Sequence, residues 1–373
     1  MYDANIGKPA LIFSDYIEGG AIDQFYSAMK QEYAVKGALL PDAHKGYGLP
    51  IGGVVATRDM IVPSWVGYDI GCGVAAKKLE CNHFKLKASV DAIYDAIKDQ
   101  IPVGFNLRSK PIIRDGVINH IAMDMSPDLL DILKLKKADL AIGTLGGGNH
   151  FIEIGEDEEG YIWVIVHSGS RGPGHGCATH YMSIAGGGRP REGHYPFAVD
   201  SEYGKNYVKD LAFMLEYALL NRRMMIDIIV DILDKLIGVS QEYALINRNH
   251  NHAEFKDGLW IHRKGATHAE KDMWGVIPGN MRDGSFIVKG CGNPDSLCSS
   301  SHGAGRVLGR AAAKRELSVE DFIDTMHAVK CNACPENLDE SPMAYKDIFR
   351  VMDEQKDLVS IAAHVKPIIN VKG

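Results

Sequence analysis

The chain is 373 residues long, 46% hydrophobic, with 48 acidic against 41 basic side chains and a net charge of −7. That length and apolar content sustain a sizeable core and exclude a disordered chain. The acidic balance excludes a surface coated in basic residues, so a nucleic-acid partner would have to be held by a local patch. Met1-Tyr2-Asp3-Ala4 has an early acid and no basic stretch before an apolar run, which predicts no secretory signal. No apolar segment is long enough to span a bilayer, a cytoplasmic location is expected, and the seven cysteines read as thiols available as ligands.

In chain order, residues 20–36 carry a helical pattern through Ile22, Phe25, Tyr26 and Met29. Residues 38–40 read as a short strand feeding a glycine-rich loop, Pro41-Asp42-Ala43-His44-Lys45-Gly46-Tyr47-Gly48. A β-like run at 52–57 follows, and Ile61-Val62-Pro63 leads into Gly67-Tyr68-Asp69-Ile70-Gly71-Cys72-Gly73. There a carboxylate and a thiol stand three residues apart with glycine on both sides of the thiol, the composition of a metal-binding turn that needs partners from elsewhere. Residues 86–100 look helical.

Residues 138–142 end at Gly143-Thr144-Leu145-Gly146-Gly147-Gly148-Asn149-His150, whose three consecutive glycines predict close backbone approach. If 149–154 continue as a strand, Asn149, Phe151 and Glu153 share one side and His150 faces the other. Residues 161–166 are the clearest buried strand, with His167-Ser168-Gly169-Ser170-Arg171-Gly172 after it. Residues 205–237 form the longest helical pattern, a core helix or helix pair in which Arg222-Arg223 reads as a solvated break. The lone Cys331-Asn332-Ala333-Cys334 pair reads as incidental. No repeat or linker divides the chain, so one integrated domain, 1–373, is expected.

Five ligand-type residues, Asp69, Cys72, His150, His167 and His250, each lie beside glycine or at the end of an apolar run. Together they suffice for a two-metal site in which the thiolate bridges. His302, in Ser301-His302-Gly303-Ala304-Gly305-Arg306, is followed by small residues that let backbone N–H groups reach a phosphate, with Arg306 to neutralise it. A neutral imidazole there is a ligand, a general base or a nucleophile toward activated phosphorus. Glu153 matches the paired N–H donors on one edge of guanine, which adenine lacks.

The segments Pro41-Asp42-Ala43-His44, Asp69-Ile70-Gly71-Cys72-Gly73, Gly146-Gly147-Gly148-Asn149-His150-Phe151 and His167-Ser168-Gly169-Ser170-Arg171-Gly172 resemble, in order and spacing, those of the RtcB family of RNA ligases. So do Arg263-Lys264-Gly265-Ala266, Ser301-His302-Gly303-Ala304-Gly305-Arg306, Asp339-Glu340-Ser341-Pro342-Met343-Ala344-Tyr345-Lys346-Asp347 and the closing Lys372-Gly373. The resemblance implies a mixed α/β (α+β) fold, with β-sheets flanked by helices around a central metal and nucleotide cleft. It implies a GTP- and Mn2+-dependent ligase that joins RNA 3'-phosphate or 2',3'-cyclic phosphate ends to 5'-hydroxyl ends, with RNA repair or tRNA splicing as its role.

Carried over, Asp69, Cys72 and His150 would hold one Mn2+, and Cys72, His167 and His250 the other. His302 would be the nucleophile that accepts GMP. Asn149, His150, Phe151, Ile152, Glu153, His250, Asn251, Pro278, Gly279, Asn280, Met281, Ser285, His302, Gly303, Ala304, Gly305, Tyr345 and Lys372 would form the nucleotide pocket, and His44 and Arg171 would face RNA. The chain departs from the family where Asn280 replaces Ser, Ala43 and Tyr68 replace Val, and His252 takes a commonly aromatic position. Donor softness alone would favour zinc, and only the resemblance points to manganese. A dinuclear phosphoesterase and a non-catalytic GTP- or RNA-binding module are the competing readings.

Overall fold

The computed structural model describes residues 6–373; Met1–Ala4, on which the signal-peptide expectation rests, lies outside them. The fold is mixed α/β, with sheets flanked by helices. A seven-stranded antiparallel sheet runs in the order Trp274–Pro278, Ser285–Gly290, Val359–Lys372, Phe151–Glu156, Ile162–Ser168, Gly73–Cys81, Val239–Asn249. Beside it stands a five-stranded sheet in the order Ala10–Ile12, Ala34–Tyr47, Leu49–Thr57, Leu259–Lys264, Asn251–Lys256.

Alternation along strands sorts the core into two layers. In Ile162–Ser168 the side chains of Ile162, Val164 and Val166 meet Ile226, Ile229 and Leu233 of the helix Glu202–Ile237. Trp163 and Ile165 point the other way, toward Val276, Ile287 and Val365. His167 continues this second face, as do Phe151 and Glu153 of the neighbouring strand, so the polar residues gather at strand ends on the side away from the long helix.

Several local expectations change. The first helix is Gly19–Met29, and residues 34–36 already belong to the next strand. The expected loop at 41–48 is largely the distal half of the strand Ala34–Tyr47, whose register against Leu49–Thr57 shifts between Leu39 and His44 and again before Tyr47. These bulges give a polar, glycine-containing segment the look of a loop. The expected helix at 86–100 is two, His83–Ala88 and Val90–Gln100, broken at Ser89.

The pattern at 205–237 is one helix of 36 residues, and Arg222 is no solvated break but fully buried within it. Its guanidinium donates through Nε to Asn247 Oδ1 (2.7 Å), through Nη1 to the carbonyls of Gly71 (2.7 Å) and Ser168 (2.8 Å), and through Nη2 to Asn249 Oδ1 (2.6 Å). A charge with that many acceptors is tolerated in a core. Arg223 alone is exposed, 3.9 Å from Asp227. No helix among the described residues is long and apolar enough to cross a membrane.

Candidate metal and nucleotide site

The turn at Asp69–Cys72 forms because Gly71 takes φ +70° and a Cβ there would meet Ala218 of the long helix at 2.7 Å. Cys72 N–H donates to Asp69 O (3.1 Å), and Cys72 O accepts from His250 N–H (2.7 Å), which fixes the turn against the residue that follows strand Val239–Asn249. On the far side, Gly146 has φ +97°, and a Cβ there would overlap the Arg171 guanidinium and the His150 ring. The glycine expected to mark close approach thus lets two site residues pack over bare backbone.

The result is a continuous line of donor atoms. Asp69 Oδ2 lies 3.0 Å from His150 Nε2, which lies 3.4 Å from Cys72 Sγ; Cys72 Sγ is 3.3 Å from His167 Nε2, itself 3.3 Å from His250 Nε2. Cys72, His150 and His167 are buried with their ligand atoms mutually within 4.8 Å. His252 is not in this line; its ring stacks on His268 instead, at 4.5 Å.

The donor chemistry fits divalent cations. His150 Nδ1 pairs with Leu145 O at 3.0 Å, so a neutral ring presents a bare Nε2 to a carboxylate oxygen. Two acceptors at 3.0 Å need a shared proton or metal cation between them. Burial, reinforced by neighbouring cationic groups, holds His167 and His250 well below the usual imidazole range, so each is a neutral ring with one lone pair to offer a cation. Burial and then Asp69 push the Cys72 thiol up, whereas burial of Asp69 is outweighed by His150, Cys72 and Arg171, which hold its carboxyl below the usual range. A dication would reverse the preference of the thiol for its proton.

At the His250 end the line meets His302, ring centroids 4.7 Å apart. Asp42, fully buried, accepts through Oδ2 from His302 Nδ1 (2.6 Å) and from the His302 backbone N–H (3.1 Å). Burial pushes the Asp42 carboxyl up, but His302, His44 and Lys346 outweigh it and hold it below the usual value. With Nδ1 engaged, a neutral ring keeps its lone pair on Nε2, and His302 lines a cavity of about 260 Å³, just below the usual range of small-molecule pockets.

That cavity is lined by Asn149, Phe151, Glu153, Pro278–Met281, His302–Gly305, Tyr345 and Lys372; the strand expected over 149–154 begins only at Phe151, and His150, just ahead of it, faces the donor line. Ile152 packs into the core on the opposite face of the sheet. Ser285 is buried behind Glu153 and donates to its Oε1 (2.9 Å). Asn251 donates to Asp69 O (3.1 Å) and accepts from Gly265 N–H (2.7 Å), tying loops together rather than lining the cavity. Burial raises the Glu153 carboxyl to about 8 against the pull of Ser285, Lys372 and Asn370.

Sequence reading gave no role to Asp42, Glu340 or Asn370, although the first two lie in the quoted motifs. Glu340, buried and held at about 2 by Lys372 and Arg310 against the penalty of burial, also accepts from Tyr345 (2.6 Å) and Arg306 (3.3 Å). Arg306, offered as a phosphate partner, is therefore already engaged, though it lines the cavity. His44 lines the cavity and pairs through Nδ1 with Asp42 O (3.0 Å). Arg171 sits at the Asp69 end, donating to Thr144 Oγ1 (3.2 Å) and Gly104 O (2.8 Å).

Comparison with known proteins gives one consistent result. A family model described as tRNA-splicing ligase RtcB matches residues 24–127 and 112–373. The RNA-splicing ligase RtcB of Escherichia coli K12 is 35% identical over 391 residues, covering 96% of this chain and 95% of that protein. The tRNA-splicing ligases RtcB of Nanoarchaeum equitans and Pyrobaculum aerophilum are 28% and 29% identical, each covering 90% of this chain and 87% of their own length.

Proposed function

The chain belongs to the RtcB family of RNA ligases, and from that premise we propose that it uses GTP and Mn2+ to join RNA 3'-phosphate or 2',3'-cyclic phosphate ends to 5'-hydroxyl ends. The observation that carries the reading is the Asp42–His302 pair between the donor line and the cavity. Asp42 holds the imidazole in the tautomer that leaves the lone pair on Nε2, and its charge stabilises the imidazolium character that develops as Nε2 bonds to phosphorus. His302 attacks the α-phosphorus of GTP, pyrophosphate leaves, and GMP is carried on the ring. GMP then passes to an RNA 3'-phosphate, and the 5'-hydroxyl displaces it as the new phosphodiester forms.

Asp69, Cys72 and His150 would hold one metal ion, and Cys72, His167 and His250 the other. Bound there, divalent ions would supply Lewis acidity to phosphate oxygens. Glu153, ionised, would accept from both N–H groups on the guanine edge, with Asn149, Phe151, the Pro278–Met281 turn, Tyr345 and Lys372 enclosing the nucleotide. The cavity lined by His302 favours this reading over a metal hydrolase, which has no need of a carboxylate-held imidazole beside a second pocket.

The test is incubation with GTP labelled at the α-phosphate and Mn2+. An acid-labile protein–GMP adduct is expected, absent in His302→Ala, together with joining of a 3'-phosphate RNA to a 5'-hydroxyl RNA. An adduct undiminished in His302→Ala refutes the nucleophile, and hydrolysis of phosphoesters without nucleotide or joining refutes the ligase reading.

A further inference from the structure

We propose that Phe105 is a stacking platform for a nucleobase near the reacting end of an RNA strand, an inference that rests on the ligase reading. Phe105 is 103% exposed, the most exposed large apolar side chain among the described residues. A phenyl ring left wholly in water has both faces free, and the apolar area it could bury is available to a partner.

Its position says what the partner is. Val103 forms a parallel bridge with Gly146, and Gly104 N–H donates to Gly146 O (2.8 Å). Gly104 O in turn accepts from Arg171 Nη2 (2.8 Å), so the ring projects one residue beyond the guanidinium that packs on Gly146 with His150. The base of Phe105 is therefore anchored to the Asp69–His150 end of the donor line. Of that line, Asp69 is the solvent-reaching member, with 37% of its side chain exposed against 5% for His150. In this proposal a strand whose phosphate approaches from that end would run past the Val103–Phe105 segment.

Charge agrees. Between Gly104 and Arg114 the exposed cations are Lys110 and Arg114, with Asp115 the first acid after them, while Arg108 is held inward by the carbonyls of Gln100 (3.0 Å) and Gly143 (3.2 Å). A basic loop presenting one bare aromatic ring is the composition of a single-strand contact, in which cations track phosphates and the ring takes a base. Phe84, also exposed, differs in place: it adjoins His83, which lies by Gly160 at the distal turn of the strand pair that carries Phe151 and His167.

The experiment measures binding of a short 5'-labelled single-stranded RNA ending in a 3'-phosphate to the full chain with Mn2+, by fluorescence anisotropy. Phe105→Ala is expected to weaken binding about 5- to 100-fold, Phe105→Tyr to restore it and Phe105→Leu to fail to, because stacking needs the ring face. Removing the base at one of the last nucleotides should erase the difference between wild type and Phe105→Ala, and the salt slope should stay the same in both. Affinity of Phe105→Ala within twofold of wild type overturns the proposal. So does wild-type affinity in Phe105→Leu, which would mean apolar contact without stacking, or a loss that persists with every abasic RNA. Formation of the GMP adduct by wild type, which needs no RNA, decides the ligase reading separately.

Discussion

Replacing Asp42 isolates the contribution of the carboxylate to the nucleophile. In the native arrangement one oxygen serves two donors, His302 Nδ1–H at 2.6 Å and His302 N–H at 3.1 Å, while Oδ1 has no hydrogen-bond partner among the described residues. In Asp42→Asn the amide oxygen can occupy the Oδ2 position and keep both bonds, so the tautomer survives and only the charge is lost. The difference between a charge-assisted and a neutral hydrogen bond is about 1–2 kcal/mol, a factor of roughly 5–30 in rate. Asp42→Ala removes the acceptor, leaves the tautomer unselected and adds a further loss, to about 100- to 10,000-fold. The assay is the single-turnover rate of GMP-adduct formation with labelled GTP, alongside thermal unfolding to show that both variants fold. Wild-type adduct rates in Asp42→Ala would refute the assignment of Nε2 as the attacking nitrogen held by Asp42. Equal losses in Asn and Ala would show that charge, not tautomer selection, dominates.

Glu153, with its folded pKa raised to about 8, binds a proton at neutral pH that the unfolded chain has released. Stability should therefore fall as pH rises from the ordinary carboxylate range to about 8 and level off above, a slope that Glu153→Gln removes in chemical denaturation series. Since guanine's two donors require the ionised form, GTP binding should strengthen as pH rises toward about 8 by up to tenfold per unit, and Glu153→Gln should flatten that profile and lose preference over ATP; unchanged discrimination refutes the role. Arg222→Met should strand the four oxygens that the guanidinium satisfies, costing on the order of 3–5 kcal/mol in denaturant unfolding and lowering the stoichiometry of tightly bound Mn2+. Two tightly retained ions in that variant would separate Arg222 from the metal site.

The candidate ligands were legible because their chemistry imposes a local signature. Cys72 must follow a positive-φ residue that closes on the long helix, and His150 must pack over Gly146, so each comes with a glycine that a sequence displays. Alternation placed Phe151 and Glu153 on one side for an equally local reason, the pleat of the strand Phe151–Glu156, although His150 precedes that strand. The supports have no such signature. Arg222 reads as a surface charge on a helical pattern because nothing within its own segment reveals that acceptors from residues 71, 168, 247 and 249 converge on it.

Lys346 repeats the device, donating to the carbonyls of Tyr16 (3.2 Å), Pro41 (3.1 Å) and Ala43 (2.9 Å) on either side of Asp42. Lys264 does so again, bonding the carbonyls of Tyr47 and, at 3.3 Å, Ser64 just ahead of the Asp69 turn. Main-chain carbonyls belong to every residue type, so a buried cation that binds them leaves no pattern in its partners' sequence. The bulged strand at 41–47 was misread for the same reason: its shape is held by Lys346 and by Asp42's bonds to His302, 260 positions away, and not by its own composition. Three buried cations thus tie down the four segments that carry Asp42, Asp69–Cys72, His167 and His250. The site's reactive groups are written locally and its geometry is written at long range, which places the sensitivity of metal and nucleophile geometry at positions that touch neither.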